Sequence, residues 1–239
     1  MTRPIALVVG GTSGIGLATA RLLLAHGEAV HATGRRAEVI EDLAAREPDI
    51  TWHRADAGET GAMRSLGERL GTVDHLVLAA SGGAGAGRIA ELSLDDLRTA
   101  FEGKFWPHLV TLQALLPHLA RDGSVTFLSA VSARAALPGT AGLAAVNGAL
   151  EAMVRPLANE LAPVRVNAVS PGVVDTPWWS GMETGARESY FAQLGKTLPV
   201  QHVARPEEIA ELVVLAARNG NVTGSVFESD GGARLVTLG

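Results

Sequence analysis

The sequence contains no cysteine, which excludes disulfides, thiolate nucleophiles and cysteine-held metals and removes the usual clue to redox compartment. Aromatic residues make up only 4% of the chain, and Tyr190 is the single tyrosine, so chemistry that needs a phenol has one candidate. Basic residues are scattered and outnumbered, leaving a net charge of -5, so no basic stripe exists to gather nucleic acid or anionic lipid. Histidines 26, 31, 53, 75, 108, 118 and 202 are spread without metal-ligand spacing, and no metal is expected. No apolar run reaches a membrane-spanning length. The opening residues Met1, Thr2, Arg3 and Pro4 run straight into a strand-like segment, too short for a signal peptide, so a soluble cytoplasmic protein is the expectation.

What is present is ample core material: 47% hydrophobic against 19% charged residues, in a chain of 239 that suits one domain over residues 1–239. Short β-branched runs alternate with helix-period stretches throughout. Strands are predicted at Ile5 to Val9, Ala29 to Thr33, Thr51 to Ala55, His75 to Ala80, Ser124 to Ser129, Val164 to Ser170 and Ser225 to Ser229. Helices are predicted near Ile15 to His26, Ala37 to Arg46, Thr60 to Leu70, Leu94 to Leu119, Thr140 to Leu161 and Pro206 to Ala217. Gly27 ends the first, Ser93 with Asp96 caps the fourth, and Pro206 opens the last. The pattern predicts an α/β Rossmann fold, a doubly wound seven-stranded parallel sheet with helices on both faces. Residues 174–205, with Pro177, Trp178, Trp179, Gly181, Gly185 and Gly195, break the alternation and read as a lid-like insertion.

The turn Gly10-Gly11-Thr12-Ser13-Gly14-Ile15-Gly16 follows a buried strand and opens a helix. Its glycines let backbone amides approach a pyrophosphate where the helix dipole favours negative charge. The second strand ends on Gly34-Arg35-Arg36, where an NAD site would place a carboxylate for the ribose hydroxyls. The arginine pair instead suits a ribose 2′-phosphate, so NADP(H) is the predicted cofactor. Asp56, ending the third strand, is placed either to accept from the adenine amino group or to cap a turn.

The glycine turn, Asp56, the stretch from Arg165 to Pro177, and Val222-Thr223-Gly224-Ser225 with Asp230-Gly231-Gly232 together resemble the short-chain dehydrogenase/reductase family over the whole length. The resemblance implies hydride transfer between a nicotinamide and a small-molecule substrate, and subunits joined as a tetramer or dimer. It also implies that Ala57, Ala79, Ala80, Ser170, Pro171, Gly172, Val174 and Thr176 line the cofactor beside the turn. The family handles its proton with a Tyr, a Lys four residues on, a Ser about thirteen residues before the Tyr, and an Asn on the preceding helix. Aligned here, Leu143 stands at the Tyr position, Asn147 at the Lys, Ala130 at the Ser and Lys104 at the Asn.

Leucine carries no transferable proton and alanine no hydrogen bond, so the usual route to carbonyl reduction is disabled. Asn147 and Lys104 have traded places on helices that pack side by side, and the Lys104 ammonium is expected to reach nearly the volume the family's lysine fills. Asn147 then bonds the nicotinamide ribose. The competing reading makes Lys104 a snorkelling surface residue and Asn147 a filler. Substitute proton donors are Ser129, Ser132, Lys104 through water, and Tyr190, with strand-end bonding and lid packing as the plainer roles of Ser129 and Tyr190. Arg134 either receives an acidic substrate group or is an exposed loop residue. Trp178 and Trp179 either cover the nicotinamide or pack on the body or on a neighbouring subunit. An NADP(H)-dependent oxidoreductase with a non-standard site is the leading expectation, acting on an activated carbonyl or conjugated alkene. The alternative is a catalytically silent NADP(H) sensor or structural subunit.

Overall fold

A computed structural model describes residues 3–236; the ends of the expected 1–239 domain, residues 1–2 and 237–239, lie outside it. Seven strands form one parallel sheet in the order β3-β2-β1-β4-β5-β6-β7. They are β1 Ile5–Val9, β2 Ala29–Gly34, β3 Thr51–Arg54, β4 Val73–Leu78, β5 Leu119–Leu128, β6 Arg165–Pro171 and β7 Val226–Ser229. Helices α1 Gly14–Ala25, α2 Ala37–Arg46, α3 Thr60–Leu70, α4 Leu94–Ala100, α5 Trp106–Leu115, α6 Ala141–Glu160, α7 Thr184–Thr197 and α8 Pro206–Arg218 surround it.

The alternation of side chains along each buried strand makes two cores. Leu7 and Val9 of β1, Leu76 and Leu78 of β4, and Phe127 of β5 face Met63, Leu66, Leu112, Leu115, Leu150 and Val154 of α3, α5 and α6. Ala6, Val8, Val30, Val77 and Val169 turn the other way, against Leu23 of α1 and Ile209, Val213 and Ala216 of α8. The chain winds outward from β1 to β3 and then crosses back to β4, so a crevice opens between the carboxyl ends of β1 and β4, where open α/β sheets take their ligands.

Two departures from the predicted elements matter for the site. The helix expected over Leu94 to Leu119 is one rod interrupted by a π-helical turn at Phe101–Phe105, and it ends in a 3-10 turn at Leu116–His118. Leu119 already belongs to β5, paired with Val73, because Pro117 cannot continue the helical bonding. Residues 174–205 are not structureless: they contain α7, whose first amides, Gly185 N and Ala186 N, are capped by the Glu183 carboxylate at 3.0 and 2.9 Å. A parallel bridge between Val174 and Ala204 closes the base of the insertion.

At the amino ends of the strands, Glu28 is only 2% exposed. Its Oε1 lies 3.1 Å from Arg218 Nε and 3.9 Å from His75 Nε2, while His75 Nδ1 bonds Ser124 Oγ at 2.9 Å. Burial, against the pull of Arg218 and with the push of Asp74, raises the Glu28 carboxyl to about 7. A carboxyl raised above its unfolded value adds stability that is complete below about pH 4.5 and is lost as pH rises through about 7. Glu28→Gln, which fixes the neutral form, is therefore expected to be more stable than the parent at pH 8 by about 1 to 3 kcal/mol. The gain should vanish near pH 4.5 in a series of thermal melts, and an equal difference at both pH values would refute the assignment.

Candidate functional site

The glycine turn sits at the crevice. Gly10 has a φ of +82°, and a Cβ there would stand 2.7 Å from Ala80 N, so backbone meets backbone across the switch point. Helix α1 begins just beyond with no side-chain cap from Ser13 and no acidic residue in its first turn, leaving its amide end open to an anion. Thr12 packs on Gly34, and Thr176, in the segment that follows β6, faces Gly14. Arg35 and Arg36 are exposed, and among the described residues neither guanidinium forms an ion pair. Asp56 is exposed and its Oδ1 accepts from Gly58 N at 2.9 Å, the turn-capping role. Ala57 is buried, its carbonyl held by Thr111, while Ala79 and Ala80 continue β4 beside the turn. Pro171 ends β6, and Gly172 and Val174 follow it at the same edge.

The π-helical turn places Lys104 inward, and its residue is 9% exposed. Lys104 Nζ donates to Asn147 Oδ1 at 2.7 Å and to Ser129 O at 3.1 Å. Asn147, 4% exposed, donates from Nδ2 to Ser132 Oγ at 3.1 Å and to Leu143 O at 2.9 Å. One lysine N–H is left over after its two protein acceptors. Burial pushes the amine down to about 8, opposed by the Glu151 carboxylate. The surface-lysine reading is thus set aside, and the two exchanged residues touch.

Ser129 hydrogen-bonds at the end of its strand. Its carbonyl serves Lys104, while its hydroxyl donates to Glu151 Oε1 at 2.7 Å, away from the amine. Ser132 holds Asn147. Tyr190 packs against Trp179 and Phe191, with ring centroids 5.4 and 6.0 Å apart, and burial raises its phenol. Arg134 is engaged by Glu151 at 2.8 Å and Glu228 at 2.7 Å, so its guanidinium is not free for a substrate acid. Trp178 reaches across the cleft to donate to Gly82 O at 3.1 Å, and Trp179 donates to Val174 O at 3.0 Å within the insertion.

Sequence reasoning missed His108, one turn after Lys104 and fully buried, whose Nε2 bonds Ala80 O at 2.9 Å. Burial, aided by Lys104, holds it down to about 3, so it is neutral and adds no second charge beside the amine. Among the described residues no cluster of three or more His, Cys, Asp or Glu suits a metal, and no helix is long and apolar enough to cross a membrane.

A parallel sheet with an open helix end at its switch point, and a buried polar cluster beside it, defines a dinucleotide-site α/β protein. A family model described as enoyl-(acyl carrier protein) reductase matches residues 9–234. A granaticin polyketide synthase putative ketoacyl reductase of Streptomyces violaceoruber is 35% identical, covering 98% of this chain and 97% of that one. A small-chain dehydrogenase solved in complex with NADPH is 31% identical with a TM-score of 0.84, over 98% of this chain and 100% of that one. An NADPH-bound short-chain oxidoreductase of Pseudomonas aeruginosa PAO1, described as containing an atypical catalytic center, is 28% identical with a TM-score of 0.87, over 96% of each chain. The chain belongs to the short-chain dehydrogenase/reductase family.

Proposed function

We propose that this protein is an NADP(H)-dependent oxidoreductase whose active site departs from the family's usual proton-handling residues and acts on a carbonyl or a conjugated alkene. The cofactor reading is supported by the residues that would hold it: Gly10 to Gly16 with the open amide end of α1 for the pyrophosphate, and the exposed Arg35 and Arg36 for a 2′-phosphate. The two NADPH-bound relatives, one of them described as containing an atypical catalytic center, support it further. A bound nicotinamide supplies the hydride; everything else falls to the chain.

The observation that carries the reading is the buried contact of Lys104 Nζ with Asn147 Oδ1 at 2.7 Å. Reduction places a hydride on carbon and requires a proton on oxygen or on the neighbouring carbon. Leu143 and Ala130 hold no such proton, Ser129 has committed its hydroxyl to Glu151, and Tyr190 is packed in the insertion. Lys104, with a donor to spare and an amine held near about 8, supplies the positive field for a developing oxyanion and the proton, directly or through water. Asn147 orients the amine and is itself fixed by Ser132 and Leu143 O. Residues 174–205 act as a lid, tied across the cleft by the bond from Trp178 to Gly82 O. The whole of residues 1–239 is read as one cofactor-binding unit, working as a homo-oligomer.

The alternative, an NADP(H)-binding sensor or structural subunit without turnover, draws on Leu143 and Ala130. The two part on one experiment, NADPH and NADH oxidation against a panel of ketones, aldehydes and enones, alongside calorimetric titration. Turnover with preference for NADPH supports the enzyme. A flat trace with saturable NADPH binding supports the sensor, and no heat with either reduced nucleotide overturns both.

A further inference from the structure

Behind Lys104 runs a charged chain that this reading does not use. Its acceptor Ser129 donates its own hydroxyl to Glu151 Oε1 at 2.7 Å, and Glu151 follows Asn147 by one turn on the same face of α6. The Glu151 side chain is 8% exposed, and its Oε2 accepts from Arg134 Nε at 2.8 Å. Arg134 Nη1 holds Glu228 Oε1 at 2.7 Å, and Arg234 binds the other Glu228 oxygen at 2.6 Å and Asp230 at 2.8 Å. An interior carboxylate reached on one side by an arginine, and on the other by the residue that carries the lysine's acceptor, is coupled to both charges in a low dielectric.

We propose that Glu151 is a positioning residue for Lys104: it fixes Ser129, whose carbonyl holds the ammonium, and with Arg134 as its counterion it sets the field in which that ammonium sits. The inference rests on Lys104 as the proton-handling group, but its test reads the amine itself. The other charged or titratable groups facing the pair are His108, which burial keeps neutral on the lysine's own helix, Arg155 beyond Glu151 on α6, and Glu228 and Arg234 outside Arg134. Burial disfavours the charged amine and the Glu151 carboxylate opposes that effect, so removing the carboxylate lets the amine fall further. Removing Arg134 leaves the same carboxylate without its counterion and strengthens its hold on the amine.

The chain has only two lysines, Lys104 and the exposed Lys196, so lysine labelled with carbon-13 at Cε gives two resolvable side-chain signals, assigned with Lys196→Arg. Glu151→Gln is expected to lower the Lys104 titration midpoint by about one unit, and Arg134→Gln to raise it. Both variants break the Glu151–Arg134 ion pair, so a purely structural role moves both midpoints the same way or neither, and either result overturns the proposal. Glu151→Asp should restore most of the midpoint. If Glu151→Gln does not fold, a midpoint that fails to rise in Arg134→Gln is decisive alone. Should the amine midpoints shift as described while the pH profile of NADPH oxidation stays put, the role of Glu151 stands and the catalytic role of Lys104 falls.

Discussion

Lys104→Met is expected to lower substrate-dependent NADPH oxidation by about 10²- to 10⁴-fold, the contribution of a positioned proton donor. Methionine keeps the length and apolar stem of the side chain and removes the charge and every donor. The cofactor contacts assigned to Gly10 to Gly16 and to Arg35 and Arg36 lie elsewhere, so NADPH affinity should change by no more than several-fold. In the parent, reduction needs the protonated amine, and with that amine held near about 8 the rate should fall as pH rises through this value. The variant should lose that limb along with the rate. Single-turnover absorbance of the reduced cofactor, followed across pH, measures both. A variant that retains parental turnover would remove Lys104 from the chemistry.

Gly16→Ala is expected to cost about a hundredfold in NADPH affinity. A Cβ at this position would stand 2.2 Å from Gly10 O and 3.0 Å from Gly10 C, inside van der Waals contact with backbone that cannot rotate away. Relief requires the turn to open, at about 1 to 3 kcal/mol or more, and the amides aimed at a pyrophosphate move with it. Gly61→Ala is the control, because a Cβ there meets nothing within 4 Å and the residue sits on the exposed face of α3. Titration by cofactor fluorescence, with thermal melts to register the cost to folding, separates the two variants. Equal affinities would show that the turn does not bind the cofactor.

The sheet was legible because each inner strand is a short apolar, β-branched run with a turn signal at its end: Ile5–Val9 and Ala29–Gly34 fall within a residue of their predicted bounds. The start of β5 was not, since Leu116, Pro117, His118 and Leu119 continue the apolar pattern of the helix before them and only Val73 on the neighbouring strand decides where Leu119 goes. Helix α7 escaped notice because its cap is Glu183, outside the usual capping residues, and a glycine stands near each of its ends. In the site, the nearness of Lys104 and Asn147 was readable from their exchanged residue types. Glu151 and His108 were within reach of the same logic, each one turn beyond a residue already singled out, but neither belongs to a motif. The direction of the Ser129 hydroxyl was not readable at all, because its acceptor Glu151 is brought to it by α6 from 22 residues further along the chain.

An all-parallel sheet gives the molecule two unlike rims. One rim collects Gly10, Ala80, Ser129 and Thr176 and carries the proposed site, while the opposite rim holds Glu28 with His75 and Arg218. The buried acid therefore costs durability at neutral pH without touching the reacting groups. Hardening this protein for use and altering what it converts are separable engineering problems, to be worked on from opposite edges of the same seven strands.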